Sequence, residues 1–152
     1  MTATKQYNIF TNPVNHPEGS ITEALRVARV ECLGRHEEEG GIILRNGEVF
    51  RFIKLTNRHT GTPTAVGFFE VDPQEYAEKI LPLFNEGWKN YASFHTHPTG
   101  CRARPSMVDL TRLFNGFPDN YIWSPSFKEL NQFSYGGEKD QTITWCLTYI
   151  PT

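Results

Sequence analysis

Cysteine is scarce in this chain of 152 residues, and the three present, Cys32, Cys101 and Cys146, are an odd number. This argues against a disulfide framework and favours a reducing cytosol. Long apolar runs are also missing, since none approaches the roughly 18–20 residues of a transmembrane helix. The first residues, MTATKQYNIFTN, lack the basic and apolar regions of a signal peptide. We therefore expect a cytoplasmic protein that does not enter a membrane.

The sequence also lacks a strong excess of charge of either sign, with 15 lysines and arginines against 17 acids and a formal net charge of -2. Nothing in this balance favours nucleic acid or an anionic membrane as a partner. The composition is that of an ordinary globular protein, and a chain of this length fits one domain of roughly 100–200 residues. We expect residues 1–152 to form a single domain.

Capping signals predict two helices in the first part of the chain. The stretch Ser20-Ile-Thr-Glu23 is a capping box, and apolar residues follow it at helical spacing. Asp72-Pro73 supplies an N-cap and a proline at the first helical position. Pro82 is expected to kink or end this second helix. The apolar side chains expected on one side of it are Tyr76, Ile80 and Phe84.

Strand signals surround these helices. Asn46-Gly47 lies between two apolar runs and predicts a hairpin over residues 40–57. Further strands are predicted over residues 66–71, 90–97, 120–126 and 141–150, with a short helix starting at Ser106. Because strands and helices mix without regular βαβ alternation, the sequence predicts an α+β fold.

The most informative stretch is ASFHTHPTGCRARPSMVDL, residues 92–110. Alternate residues of a strand point to the same face, so two imidazoles can meet one metal ion. The residues predicted to share this face are Tyr91, Ser93, His95 and His97. Asp109 falls one turn into the following helix, where its carboxylate could reach the same ion. Three protein ligands with an open fourth position are typical of catalytic zinc.

Each half of this pattern has a simpler interpretation. A single His-x-His on an exposed strand more often binds no metal. The stretch Ser106-Met-Val-Asp109 also reads as an ordinary helix start, with a serine cap and an acid in the first turn. The two halves together, joined by a Pro/Gly turn, favour a metal site.

A catalytic zinc site also needs a general base, and the run HEEEGGIIL offers Glu37, Glu38 and Glu39. A run of acids is usually a solvated helix end. Here, however, a short segment joins these acids to an apolar strand that must enter the core, so one of them could be carried inward. No HExxH pair occurs, which excludes the helical zincin arrangement.

The order of these motifs resembles that of the JAB/JAMM (MPN-domain) metallopeptidases. Glu38 lies three positions before Gly41 and its aliphatic run, and is followed by His95-Thr-His-Pro98 and Ser106-Met-Val-Asp109. The flanking helix, hairpin and strands are similar to those of short prokaryotic members. The chain departs from the usual spacing by one extra residue in TGCRARP, between the proline and the serine.

This resemblance implies a cytidine-deaminase-like mixed β-sheet flanked by helices, in a single JAB/MPN domain. It also implies one Zn²⁺ per chain held by His95, His97 and Asp109. Glu38 would be the general base, preferred over Glu39 by the family spacing, and Ser106 would support the oxyanion. Arg102 and Arg104 could bind acids of a substrate, or be solvated loop charges.

The resemblance favours an isopeptidase or peptidase that cuts after the C-terminal glycine of a ubiquitin-like protein. Short prokaryotic members resemble the deubiquitinase-like enzymes of bacterial ubiquitin-like conjugation systems, including antiphage ones. The expected partner is a ubiquitin-like protein or its conjugates. Two alternatives stay open: a hydrolase of another amide, such as a cell-wall peptide or a sulfur-carrier precursor, and an inactive MPN scaffold.

Overall fold

The computed structural model describes residues 5–7, 18–34, 37–58, 69–105, 117, 119–135 and 143–149. Seven strands and three helices lie within these residues. In chain order they are β1 (Lys5–Tyr7), α1 (Ile21–Glu31), β2 (Gly40–Asn46), β3 (Val49–Leu55), α2 (Pro73–Lys79), α3 (Leu81–Phe84), β4 (Lys89–Thr96), β5 (Asp119–Ser124), β6 (Glu129–Tyr135) and β7 (Ile143–Tyr149).

The described strands form one mixed sheet in the order β1-β7-β6-β5-β4-β2-β3. β4 pairs with β5 in parallel, as does β1 with β7, whereas the other neighbours are antiparallel. This confirms the α+β fold with a mixed sheet. No helix within the described ranges is long and apolar enough to cross a bilayer.

The sheet has an apolar cluster on each face, because neighbouring strand residues point in opposite directions. Ile43 packs in the cluster beneath α1, whereas its neighbours Ile42 and Leu44 pack in the other cluster, with Phe69 and Ile80. The second cluster therefore lies on the face that α2 and α3 approach. Helix α1 begins as predicted, since the Ser20 hydroxyl accepts a hydrogen bond from the Glu23 amide at 3.1 Å.

A β-bulge changes which residues of β4 share a face. Ile43 lies opposite Ala92 but Leu44 lies opposite Asn90, so Tyr91 is the extra residue. Tyr91 turns to the α1 side and packs edge-on against Phe50, with ring centroids 4.9 Å apart. The prediction that Tyr91 shares the face of the histidines was therefore wrong.

Pro82 divides the second predicted helix into two. α2 ends at Lys79 and α3 covers only Leu81–Phe84. Proline has no N–H to donate and its ring clashes with the preceding turn, so an uninterrupted helix could not form. After the break the Leu83 amide donates to the Ile80 carbonyl at 3.0 Å, three residues back rather than four, and this tighter turn changes the helical phase. As a result Leu83, rather than the predicted Phe84, packs in the second cluster, and Phe84 is 37% exposed.

Two strands, β1 and β6, were not predicted, and several predictions lie outside the described residues. β6 carries polar residues, among them Asn131 and Gln132, that are nevertheless buried. The strand predicted over residues 66–71 is described only at its end, where Val71 bridges to Asn57. The helix predicted from Ser106 lies outside the described part of the chain. The extent of the domain, residues 1–152, stays a prediction.

Glu75 joins α2 to the end of β3, and we expect its contribution to stability to depend on pH. Its carboxylate accepts hydrogen bonds from the Thr56 amide at 2.6 Å and the Lys79 ammonium at 3.0 Å. Burial raises the pKa of Glu75, but these bonds outweigh burial and bring the pKa below its ordinary value of 4.5. The stability gained is therefore complete above pH 4.5 and is lost as the pH falls through the lower folded-state pKa.

Glu75→Gln is accordingly expected to cost about 1 kcal/mol at neutral pH, with the difference from wild type narrowing in acid. Urea unfolding at about pH 7 and about pH 3 measures this difference. A difference that widens in acid would contradict the assignment.

Candidate metal centre

The end of β4 places the two histidines side by side. His95 lies within the strand and is completely buried. His97 is the first residue after the strand and is 7% exposed. The His97 amide donates to the Trp123 carbonyl at 2.9 Å, which extends the ladder with β5 by one residue. The two imidazole rings therefore leave the same face, with centroids 5.2 Å apart.

Glu38 reaches these histidines from the segment before β2. The amide of its neighbour Glu39 donates to the Thr96 hydroxyl at 3.0 Å, and the Thr96 amide donates to the Glu39 carbonyl at 2.8 Å. On the other side the Asn57 amide group donates to the Glu38 carbonyl at 3.0 Å. These contacts fix the backbone so that Glu38 Oε1 lies 3.7 Å from His95 Nε2, with the residue only 2% exposed.

Glycines allow this close approach. A Cβ on Gly40 would lie 2.2 Å from the Phe94 carbonyl oxygen and 2.9 Å from the Cα of His95. Gly34 has a φ of +61°, and a Cβ there would lie 2.3 Å from the Thr96 hydroxyl oxygen. A side chain at either position would push the acidic segment away from β4.

Glu39, the alternative acid, is directed elsewhere. Its carboxylate accepts hydrogen bonds from the Gly34 amide at 2.6 Å and from the Lys54 ammonium at 3.0 Å. Burial lowers the pKa of Lys54, but the bond and charge of Glu39 outweigh this and raise it above its usual value. Glu39 thus links the segment just after α1 to β3, whereas Glu38 faces the histidines.

The hydrogen bond made by His97 defines which of its nitrogens is available. His97 Nδ1 lies 2.8 Å from the Arg102 carbonyl oxygen. A carbonyl can only accept, so Nδ1 carries the proton, and Nε2 is the nitrogen that could bind a metal ion. Metal-binding histidines are typically oriented in this way by a hydrogen bond at the other ring nitrogen.

The donor set fits a metal ion. One ligand atom from each of Glu38, His95 and His97 lies within 4.8 Å of the other two, and all three residues are buried. Two imidazole nitrogens with one carboxylate oxygen are ligands that suit zinc and related transition metals. These three residues could therefore hold a metal ion, whose identity the donor set alone does not define.

The remaining predicted site residues differ in what the structure describes. Ser106 and Asp109 lie outside the described residues, so their roles as oxyanion donor and ligand stay predictions. Arg102 forms an ion pair with Glu129, at 2.5 Å between Nη2 and Oε2. Arg104 is exposed. A role of either arginine in binding substrate also stays a prediction.

Two residues beside the site were not found by sequence reasoning. Asn57 holds the Glu38 carbonyl, and the ring of Phe69 stacks on His95 with centroids 6.4 Å apart and planes inclined by 20°. Phe69 belongs to a predicted apolar strand, so its burial could be anticipated but not its partner. Asn57 lies two residues after the end of β3, and no sequence pattern marks it.

The mixed sheet and the buried His–His–Glu set together define an α+β domain with a candidate metal site. The chain belongs to the family described as prokaryotic homologs of the JAB domain, whose match covers residues 22–134. This confirms the resemblance to a short prokaryotic JAB/MPN domain. The comparison with curated proteins found no match.

Solved structures share the fold at low sequence identity. A protein from Desulfitobacterium hafniense, solved in solution, matches with a TM-score of 0.60 and 20% identity, covering 88% of this chain and 92% of its own. A solution structure from Salinibacter ruber matches with a TM-score of 0.52 and 18% identity, covering 85% of this chain and 88% of its own. At such identities the likeness concerns the fold alone.

Proposed function

We propose that this chain is a zinc-dependent isopeptidase or peptidase that cuts after the C-terminal glycine of a ubiquitin-like protein. The observation that carries the proposal is the convergence of Glu38, His95 and His97 within 4.8 Å in a member of the JAB family. Scaffolding relatives generally lose the ligand set, and its retention here favours an enzyme over an inactive scaffold.

His95 and His97 would hold the ion, with Asp109 as the third ligand implied by the family pattern. A bound zinc ion would supply Lewis acidity, which lowers the pKa of a coordinated water and polarises the scissile carbonyl. The tautomer of His97 suits this role, because its Nε2 is directed away from the Arg102 carbonyl.

Glu38 would act as general base and then as general acid. Its carboxylate takes the proton of the attacking water and delivers it to the leaving amine, so no covalent enzyme intermediate is required. Glu38 Oε1 lies 3.7 Å from His95 Nε2, and this closeness supports a role of the acid in activating a water beside a bound ion. Ser106 would donate to the developing oxyanion, a contribution typically worth about 3–4 kcal/mol.

A cleavage panel tests the reaction and the substrate together. The full chain, loaded with Zn²⁺, is incubated with a ubiquitin-like precursor encoded beside it, a sulfur-carrier precursor and a cell-wall peptide. We expect one cut, directly after the precursor's C-terminal glycine, and none when that glycine is replaced by a bulky residue. Mass spectrometry of the products locates the bond.

The other outcomes separate the alternatives. Cleavage of the wall peptide with no cleavage of either precursor would show a different amide hydrolase. If the chain contains no zinc after purification and added zinc restores no cleavage, the inactive scaffold is correct.

A further inference from the structure

The loop after the histidines is held by a carboxylate from the neighbouring hairpin of β5 and β6. Glu129, at the start of β6, is only 9% exposed. Its oxygens accept hydrogen bonds from the Arg102 guanidinium at 2.5 Å and the Ala103 amide at 3.1 Å. A carboxylate buried this deeply is costly unless it is paired and hydrogen-bonded, so these contacts account for its place in a strand.

The contacts of Glu129 converge on one peptide unit, the bond between Arg102 and Ala103. The N–H of this unit donates to Glu129 Oε1, and its C=O accepts from His97 Nδ1 at 2.8 Å. A peptide unit is planar, so fixing the direction of its N–H also fixes the direction of its C=O. The carboxylate, the peptide and the imidazole thus form a continuous chain of hydrogen bonds.

Neighbouring contacts hold the same unit in place. Asn131 is fully buried and donates to the Ala103 carbonyl at 2.6 Å, and to Glu129 Oε1 at 3.3 Å. The Arg102 guanidinium also lies 4.7 Å from the ring centroid of Phe127, in the turn between β5 and β6. The Ala103 backbone and the Arg102 side chain are therefore held by β6 and the turn before it.

From this geometry we infer that Glu129 is a positioning residue for His97, acting through the Arg102–Ala103 peptide unit. It holds the carbonyl that orients the imidazole and keeps the proton on Nδ1, so that Nε2 can bind the ion. Hydrogen-bonded chains that include a charged group polarise their members, so the carboxylate also strengthens the peptide carbonyl as an acceptor. The inference rests on the proposed function for its metal, but concerns a residue outside the family motif.

The test compares Zn²⁺ affinity, by chelator competition, in two variants of Glu129. Glu129→Ala removes the acceptor and is expected to weaken binding about 10–100-fold, the usual effect of losing an outer contact of a metal ligand. Glu129→Gln keeps a neutral acceptor for the Ala103 amide and should fall between wild type and Glu129→Ala. Zn²⁺ affinity is therefore expected to decrease from wild type to Glu129→Gln to Glu129→Ala.

Glu75→Ala and Glu75→Gln are the matched controls. Glu75, like Glu129, accepts one backbone amide and pairs with one cation, and its side chain is 16% exposed against 12% for Glu129. These controls should lose comparable stability while their Zn²⁺ affinity stays within about twofold of wild type. If Glu129→Ala does not fold, the Zn²⁺ affinities of Glu129→Gln and Glu75→Gln are compared instead. Unchanged affinity in the folded Glu129 variants would overturn the inference.

A second measurement does not depend on the metal. Imidazole ¹⁵N spectra of the metal-free protein should show His97 with its proton on Nδ1 in wild type and Glu75→Gln. The Nε2-protonated form should appear in the Glu129 variants. If wild type binds no Zn²⁺, the proposed function fails, and these spectra still decide whether Glu129 orients His97. An unchanged tautomer in the Glu129 variants would refute the positioning role.

Discussion

Glu38→Gln is expected to reduce turnover by about 10²–10⁴-fold, the usual contribution of a general base. The amide keeps the shape of the side chain but cannot take a proton from water. Asn57 donates to the Glu38 carbonyl, and the amide of the next residue, Glu39, donates to Thr96. Because neither contact involves the Glu38 side chain, the fold should be unchanged. Zn²⁺ content should also persist, because the imidazoles remain. Single-turnover cleavage and metal analysis of the same preparation measure both quantities.

Glu39→Gln is the matched control, since the same chemical change is made one residue away. Glu39 pairs with Lys54 rather than facing the histidines, so this variant should lose a little stability and keep its turnover. Equal turnover in Glu38→Gln and wild type would dismiss Glu38 as the base. Loss of Zn²⁺ from Glu38→Gln would instead make Glu38 a ligand, a role that its 3.7 Å separation from His95 Nε2 also permits.

His95→Ala is expected to abolish stable Zn²⁺ binding. It removes a completely buried imidazole from a site with few ligands, so affinity should fall by more than the roughly 10–100-fold lost with an outer contact. His97→Ala should likewise lose metal before it loses structure. In wild type, Zn²⁺ at 100 times its Kd should stabilise the fold by about 2.7 kcal/mol, and this gain should vanish in both variants.

Ser93→Ala provides the control on the same strand and face. Ser93 is buried and donates to Asn120, so its loss should lower stability without changing the stabilisation by Zn²⁺. Thermal unfolding with and without Zn²⁺ separates the two effects. Full stabilisation by Zn²⁺ in His95→Ala would contradict the metal centre described above.

The sequence predicted those parts of the molecule that local patterns determine. The Ser20 cap, the Asn46-Gly47 turn and the break near Pro82 each depend on a few neighbouring residues, and each is present. The strand that contains His95 and leads into His97 follows from its apolar alternation and the proline after it. The mixed α+β class follows from the order of such elements.

Other parts depended on contacts between distant segments. The polar sequence of β6 does not predict that Glu129 is buried, because its partners Arg102 and Ala103 lie in a loop that is distant in the sequence. Tyr91 lies on the face opposite to the predicted one because a bulge opposite Ile43 and Leu44 adds one residue to β4. A shift of one residue in a strand moves a side chain to the other face of the sheet.

By itself, then, the amino-acid order determined the family motif and the pairing of two imidazoles on one strand, since both arise from residues close in the chain. The family spacing favoured Glu38 among Glu37, Glu38 and Glu39, but only the tertiary structure brings its carboxylate beside the imidazoles. Neighbouring residues in an extended segment point in different directions. The direction of Glu38 is selected by the hydrogen bond that the Glu39 amide donates to the Thr96 hydroxyl and by the one that Asn57 donates to the Glu38 carbonyl.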